Sequence, residues 1–382
     1  MSNPLTWLSR RRFPYEPLIN VEISRKRLLH NLNEFRRIAP HGRVAPVLKS
    51  NAYGHGFREV ASILKHSDHI PFFVVDSYFE AVALHSDGVR NEILIMGYTR
   101  PETILSSRLS HAVFTVAALD TLQHLKETRR RLPIHLKIDT GMHRHGIMPE
   151  EIEHAIDLLA ENPLIELKGL CTHLSDADNP DPSFTEGQIK IWNRAVERFR
   201  SQCAALDFIH ASATDGHRYT NEIESNVSRL GIGLYGLADG RAFSPHLELA
   251  PVMKMKTLIT GVKKISRDQT IGYGNTYKAP RDMTMATIPA GYFEGIDRRL
   301  SNKGSIGVGS EEIACPIVGR VSMNITTIDI SRIPHTEIGT PVTVVGDNPW
   351  DRNSIMEMAK AAGTIPYEIA VHVPSHLKRA IV

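Results

Sequence analysis

From residue 44 to residue 232 the apolar positions fall into short runs separated by longer amphipathic stretches. Eight runs read as buried strands: Val44–Leu48, Phe72–Val75, Ile93–Met96, Ala112–Val116, Ile134–Ile138, Leu167–Thr172, Phe208–His210 and Val227–Ile232. Most of the intervals carry helical periodicity. After the first strand Phe57, Val60, Ala61 and Leu64 form one apolar stripe; Ala117–Arg130 and Glu150–Glu161 are the clearest later patterns, and Gln188–Ala205 is the longest. The link between the last two runs is short and polar, and its helical pattern is weak. Eight strand–helix units over about 200 residues predict a (β/α)8 TIM-like barrel. A doubly wound sheet also alternates, but it rarely needs eight parallel strands, and no GxGxxG follows the first one.

From about Arg241 the pattern changes to short β-like segments punctuated by Gly and Pro: Thr257–Val262, Met283–Pro289, Ile313–Ile330 and Thr340–Val345. One helix is predicted at Ser354–Ala362, with Asp351 or Asn353 as its cap. The predicted class is therefore α/β plus β. Residues 1–20 form an arm able to add a strand to the second domain, 21–240 the barrel, and 241–382 a mostly β domain.

Composition narrows the function without naming it. A net charge of +3 over 382 residues carries no nucleic-acid footprint. Three cysteines (Cys171, Cys203, Cys315) without a CxxC pair argue against a disulfide framework or a zinc ribbon and fit a reducing cytoplasm. Ser9 to Phe13 resemble a twin-arginine export signal, but Pro14, Tyr15, Glu16 and Pro17 follow where an apolar stretch belongs. No window approaches 18 consecutive apolar residues, and the nineteen histidines show no metal-binding spacing.

In a barrel the chemistry gathers at the C-terminal ends of the strands. Strand one ends in Lys49 and Tyr53, strand five in Lys137 to Arg144, strand six in Thr172-His173, strand seven in His210-Ala211-Ser212, and strand eight in Arg229 to Ile232. A strand-end lysine, partly desolvated, can present the neutral amine that attacks a carbonyl, although a lone Lys there is more plainly a solvated strand terminus. The Ser212 hydroxyl, with Gly231 and the Ile232 amide, suits an anionic phosphate. An amine, a phosphate cradle and a cation around one mouth are the parts of a pyridoxal phosphate site.

Motifs along nearly the whole chain resemble the alanine racemase family, two-domain pyridoxal-phosphate enzymes of fold type III. They are VLKSNAYGHG at 47–56, HLKIDTGMHRHGI at 135–147, VSRLGIGLYGL at 227–237, IGYGNTY at 271–277, ATIPAGYFEGIDRRLSNKG from Ala286, VGRVSMN at 318–324 and GTIPYEI at 363–369. The lysine motif alone is shared with relatives of other function; the later ones, in this order, are specific.

The resemblance implies a homodimer in the cytoplasm that interconverts L- and D-alanine, supplying peptidoglycan precursors, with pyridoxal 5'-phosphate as cofactor and no nucleic acid, membrane or metal. Lys49 and the partner subunit's Tyr273 serve the two faces of the substrate. His173 and Arg229 stand behind the tyrosine, Arg229 at the pyridine nitrogen. Tyr53 and Tyr367 help hold the phosphate, Arg144 and the Met323 backbone lie near the substrate carboxylate, and Tyr292, Arg298 and Ile365 line the entrance corridor. Lys137 matches a lysine carbamylated in some members; a strand-end lysine in an ion pair is the equal alternative. Without the resemblance, His173 reads as a core histidine and Tyr273 as a β-sheet aromatic. The chain departs from the family pattern at Asn324 and Glu294, where Asp is usual, and at His145, where Leu is common. Serine or larger amino acids as substrates, and a non-catalytic pyridoxal-phosphate carrier, are the competing readings; the second domain with its GYG tyrosine speaks against the carrier.

Overall fold

The computed structural model describes residues 16–202, 206–240, 243 and 246–382. The export-like arginines and Cys203 lie outside them.

All eight expected barrel strands form, trimmed by a residue or two or extended toward their starts. After Asn20–Ile23 (β1) they are Val44–Pro46 (β2), Phe73–Val75 (β3), Ile93–Ile95 (β4), Ala112–Val116 (β5), Leu132–Lys137 (β6), Ile165–Cys171 (β7), Phe208–His210 (β8) and Ser228–Leu230 (β9). Strands β3 to β8 pair in parallel in sequence order, and β2 pairs in parallel with β9. The two pieces join into one ring through the Val47–Val74 bridge on one side. On the other, the Arg229 amide donates to the Ser212 carbonyl at 3.0 Å. Strands buried on both faces read as continuous apolar runs, which is why the count was visible in the sequence. The helix Ser183–Gln202 is the longest, and the expected 117–130 helix shortens to Leu119–Leu125.

The second domain contains two main sheets. The larger runs Ile313–Pro316, Ser305–Val308, Pro341–Val345, Met253–Leu258 (β10), β1 and Lys378–Ile381. Strand β1 therefore lies inside a sheet built mostly from the far end of the chain, antiparallel to β10 and parallel to 378–381. The smaller sheet holds Gly261–Ile265, Met283–Ile288 and Thr326–Asp329. The expected 257–262 and 313–330 segments each split in two. The second split leaves a turn at Ser322–Asn324. A short hairpin, Thr270–Ile271 with Tyr277–Lys278, carries Tyr273 at its tip.

The helix Ile355–Ala362 is capped by neither Asp351 nor Asn353. Ser354 accepts from the Glu357 amide at 3.2 Å. Asn353 is buried, its side chain donating to the Thr343 carbonyl at 2.9 Å. Buried Asn31 ties the first helix, Arg25–Ile38, to the chain leaving the barrel. Its Nδ2 donates to the carbonyls of Leu234 and Ala250, and its Oδ1 accepts from the Ala250 amide. Among the described residues no helix is long and apolar enough to cross a membrane.

Candidate active site

Lys49 lies half-buried just beyond β2. The chain after it does not enter an ordinary helix. Ser50, Asn51, Ala52 and Tyr53 all take φ between 53° and 56°, a left-handed turn closed by Gly54 at φ 81°. Each non-glycine residue in that region costs about 1–2 kcal/mol. The Glu80 carboxylate holds the turn by accepting from the Ser50 amide at 2.7 Å. The turn also swings Tyr53 inward, where it is buried.

The Tyr53 hydroxyl lies against Gly231 so closely that a Cβ there would be 2.5 Å from it. Only glycine fits. Burial pushes the Tyr53 phenol up to about 12, against the pull of Arg229. The Tyr367 ring stands 5.9 Å from that of Tyr53, its phenol also raised by burial. The backbone amides of Gly231 and Ile232 and both phenol hydroxyls carry no hydrogen bond among the described residues. The Ser212 hydroxyl donates to the Gly216 carbonyl at 3.2 Å. Thr214, which the sequence reading passed over, is the hydroxyl at this spot: its Oγ1 accepts from the Gly233 amide at 3.2 Å.

Arg229 is buried, and its bonds dictate what remains of it. Nη1 donates to His210 Nδ1 at 2.6 Å and to the His210 carbonyl at 2.7 Å. Nη2 donates to the carbonyls of Thr172 and Ala211 at 2.7 and 2.9 Å and lies 3.4 Å from His173 Nδ1. All four η protons are thus engaged, and Nε–H is the one donor left over. Burial lowers this guanidinium from its ordinary value, but that value is high enough to keep it charged.

The same cation fixes two tautomers. His210 Nδ1 must accept, so its proton sits on Nε2 and is donated to His135 Nδ1 at 2.8 Å. His135 then carries its proton on Nε2, a buried atom without a partner, in space left by Gly169, whose Cβ would come within 2.9 Å. Burial, with Lys168 and Arg229 nearby, drives His135 down to about 3, and burial with Arg229 lowers His210 well below its usual value. Both rings stay neutral. Sequence reasoning missed His135 because β6 and β8 are 75 residues apart here.

His173 is lowered to about 3 by burial first and then by Arg229, Lys137, Arg144 and Lys49, which all gather around it. Lys137 is buried and makes no ion pair among the described residues; burial lowers its amine. Arg144 and His145 are exposed.

The remaining expected residues stand on the β domain, away from these bonds. Tyr273 is 70% exposed, its hydroxyl without a hydrogen bond among the described residues. Met323, Tyr292 and Ile365 are exposed as well. Arg298 begins a 3-10 turn next to Arg299, which bridges Asp297 and Glu368 at 2.6 and 2.7 Å. His372 joins that cluster, but the arginine already neutralises its carboxylates.

A barrel with a lysine beyond its first strand, a cradle of free amides and phenols at its last, and a β domain displaying aromatic residues defines a two-domain barrel enzyme of the cofactor-dependent kind. Comparison makes this specific. Residues 23–239 match the N-terminal and 252–381 the C-terminal domain model of alanine racemase. Alanine racemase of Sorangium cellulosum is 33% identical over 94% of this chain and 97% of its own, and alanine racemase 2 of Oceanobacillus iheyensis 31% over 94% and 92%. Among solved structures, alanine racemase of Clostridium difficile 630 superposes with a TM-score of 0.87 at 27% identity, covering 96% of each chain. That of E. faecalis gives 0.86 at 28%, covering 97% and 99%. The chain belongs to the alanine racemase family, whose members depend on pyridoxal phosphate.

Proposed function

We propose that the protein is a homodimeric alanine racemase that exchanges the α-proton of alanine between Lys49 of one subunit and Tyr273 of the other. The observation that carries this is Arg229: its four η protons are engaged within the barrel, which leaves Nε–H as the one charged donor free for a pyridine nitrogen. The residues fit pyridoxal phosphate. Lys49 would hold it covalently, Tyr53, Tyr367, Thr214 and the Gly231 and Ile232 amides would hold its phosphate, and Ser212 would support that loop from behind. When bound, the cofactor acidifies the substrate α-carbon by withdrawing electrons from it.

The rest is done by this chain. Arginine donates a hydrogen bond without surrendering its proton, so Arg229 keeps the electron withdrawal weak and the carbanion short-lived. Lys49 Nζ takes the proton from one face while Tyr273 Oη returns one to the other; in the reverse direction the roles exchange. Arg144 and the Met323 amide receive the substrate carboxylate. Tyr292, Arg298, Ile365 and Tyr367 narrow the approach to a size that suits a methyl side chain. The unpaired, buried Lys137 amine supports a carbamate there. The enzyme would act in the cytoplasm, supplying D-alanine for the cell wall.

The test is direct. Protein loaded with pyridoxal phosphate is expected to absorb in the visible and to racemise L-alanine, with serine and larger amino acids turned over much more slowly. A colourless protein, or one preferring a large amino acid, overturns the reading. Lys49→Ala and Tyr273→Phe should each be inactive, and mixing them should restore activity. A mixed dimer contains one site with both residues intact, so failure to recover on mixing would refute the shared site.

A further inference from the structure

The turn Gly291–Gly295 is pressed against the turn Ser322–Asn324. The Tyr292 amide donates to the Ser322 carbonyl at 3.0 Å, and the Phe293 amide to the Met323 carbonyl at 2.9 Å. A Cβ on Gly291 would lie 2.2 Å from the Ser322 oxygen. Glu294, buried on the inner side, binds the two together with both carboxylate oxygens: Oε2 accepts from the Gly291 amide at 2.8 Å and Oε1 from Asn324 Nδ2 at 2.7 Å. Asn324 and Glu294 stand 30 residues apart in the chain, and the fold brings them into contact.

The consequence is geometric. Every peptide bond described is trans, so each C=O points opposite to the N–H of the next residue. With the Ser322 and Met323 carbonyls both turned toward the 291–294 segment, the Met323 and Asn324 N–H groups point the other way. Neither has a hydrogen bond among the described residues. Two consecutive free amides on one side of a turn form a concavity suited to a carboxylate. The side chain at 324 springs from this seat. As asparagine it is neutral, and it gives its amide to Glu294. As aspartate it would set a charge beside the seat and face a second carboxylate.

We propose that the Glu294–Asn324 pair positions a two-amide seat, Met323 and Asn324, for the substrate carboxylate, and that the neutrality of Asn324 sets the affinity of that seat. This rests on the racemase reading. Both residues act as positioning groups and neither touches the reacting carbon.

The holoenzyme should be compared with N324D, E294Q and N324D/E294Q. Kinetics with L-alanine, inhibition by propionate and thermal unfolding are read at low and high salt. In N324D, KM and the propionate inhibition constant should rise together by about fivefold at low ionic strength, the size of one added charge near a solvated site, and the rise should shrink in 0.5 M salt. Turnover number should change much less than KM. N324D/E294Q reverses the polarity of the hydrogen bond, so its melting temperature should return to that of the parent while KM stays raised. Unchanged propionate inhibition in N324D overturns the proposal. So does a loss that ignores salt, or full kinetic recovery in the double variant. If N324D does not fold, the double variant alone decides: with the bond restored, a parental KM refutes the role of charge. Absence of racemisation by the parent protein would instead refute the racemase reading, while propionate binding, followed by perturbation of the cofactor absorbance, still reports on the seat.

Discussion

The barrel interior and the exposed face of the β domain meet opposite physical demands. Inside, Arg229, His210 and His135 form a hydrogen-bonded chain in which tautomers and charge are settled before any ligand arrives. On the β domain, Tyr273 is 70% and Met323 55% exposed, and the Tyr273 hydroxyl and the Met323 and Asn324 amides take no hydrogen bond among the described residues. The first region is complete within the barrel; the second displays groups that take no hydrogen bond among the described residues. The difference teaches that the parts that must not move are built into the core. The parts that must meet another molecule are held on turns whose backbone, not side chains, is fixed.

Substitution should separate the two regions. Tyr273→Phe is expected to lower racemisation by roughly 10²–10⁴, the usual worth of an acid–base group, while leaving unfolding within about 0.5 kcal/mol of the parent. Arg229→Ala should do the reverse as well as abolish activity. It strands the carbonyls of Thr172, His210 and Ala211, and a loss of roughly 3–5 kcal/mol is expected from urea unfolding. If Arg229→Ala unfolds at the parental midpoint, the barrel chain is not structural at all.

Gly291→Ala probes a tightly packed turn on the β-domain face. Its methyl must displace the Ser322 backbone, so a loss of about 1–3 kcal/mol with a raised KM is expected. A smaller effect comes from pH. His135 sits at about 3 and His55 and His217 at about 4, all depressed by burial, whereas the unfolded chain binds these protons near 6.5. Below that pH the unfolded state takes up more protons than the folded one. Stability is therefore fully present above 6.5 and falls as the pH drops through 6.5 toward those depressed values. Each histidine should contribute a loss of about 1 kcal/mol between pH 6.5 and 5.5, visible as a falling urea midpoint. A midpoint flat across that interval would mean that these rings are not held neutral. Smallest, Ser354→Ala should cost about 1 kcal/mol through the lost helix cap, with kinetics unchanged.

What was legible in the sequence is what periodicity encodes. Strands buried on both faces leave unbroken apolar runs, and so all eight barrel strands could be counted. Contacts between distant polar residues leave no such trace. The His135–His210 bond and the Asn324–Glu294 bond join positions 75 and 30 residues apart, each ordinary in its own stretch. Ser212 and Thr214 differ by two positions, and only the turn after β8 decides which hydroxyl faces the Gly231–Gly233 amides. Likewise Asp351, Asn353 and Ser354 all precede the helix at 355, and burial of Asn353 against Thr343 leaves the capping to Ser354. The left-handed turn after Lys49 was hidden because Ser50, Asn51, Ala52 and Tyr53 do not announce positive φ; Gly54 alone hints at it.

The place of β1 between β10 and residues 378–381 sets an order of events during synthesis. Asn20 to Ile23 are made before the barrel, yet the strands that flank them follow some 230 and 355 residues later. The barrel can close while this ribbon waits. The ribbon gains its second neighbour only once residues 378–381 have been made, so the larger sheet of the β domain is completed after the barrel that precedes it in the chain.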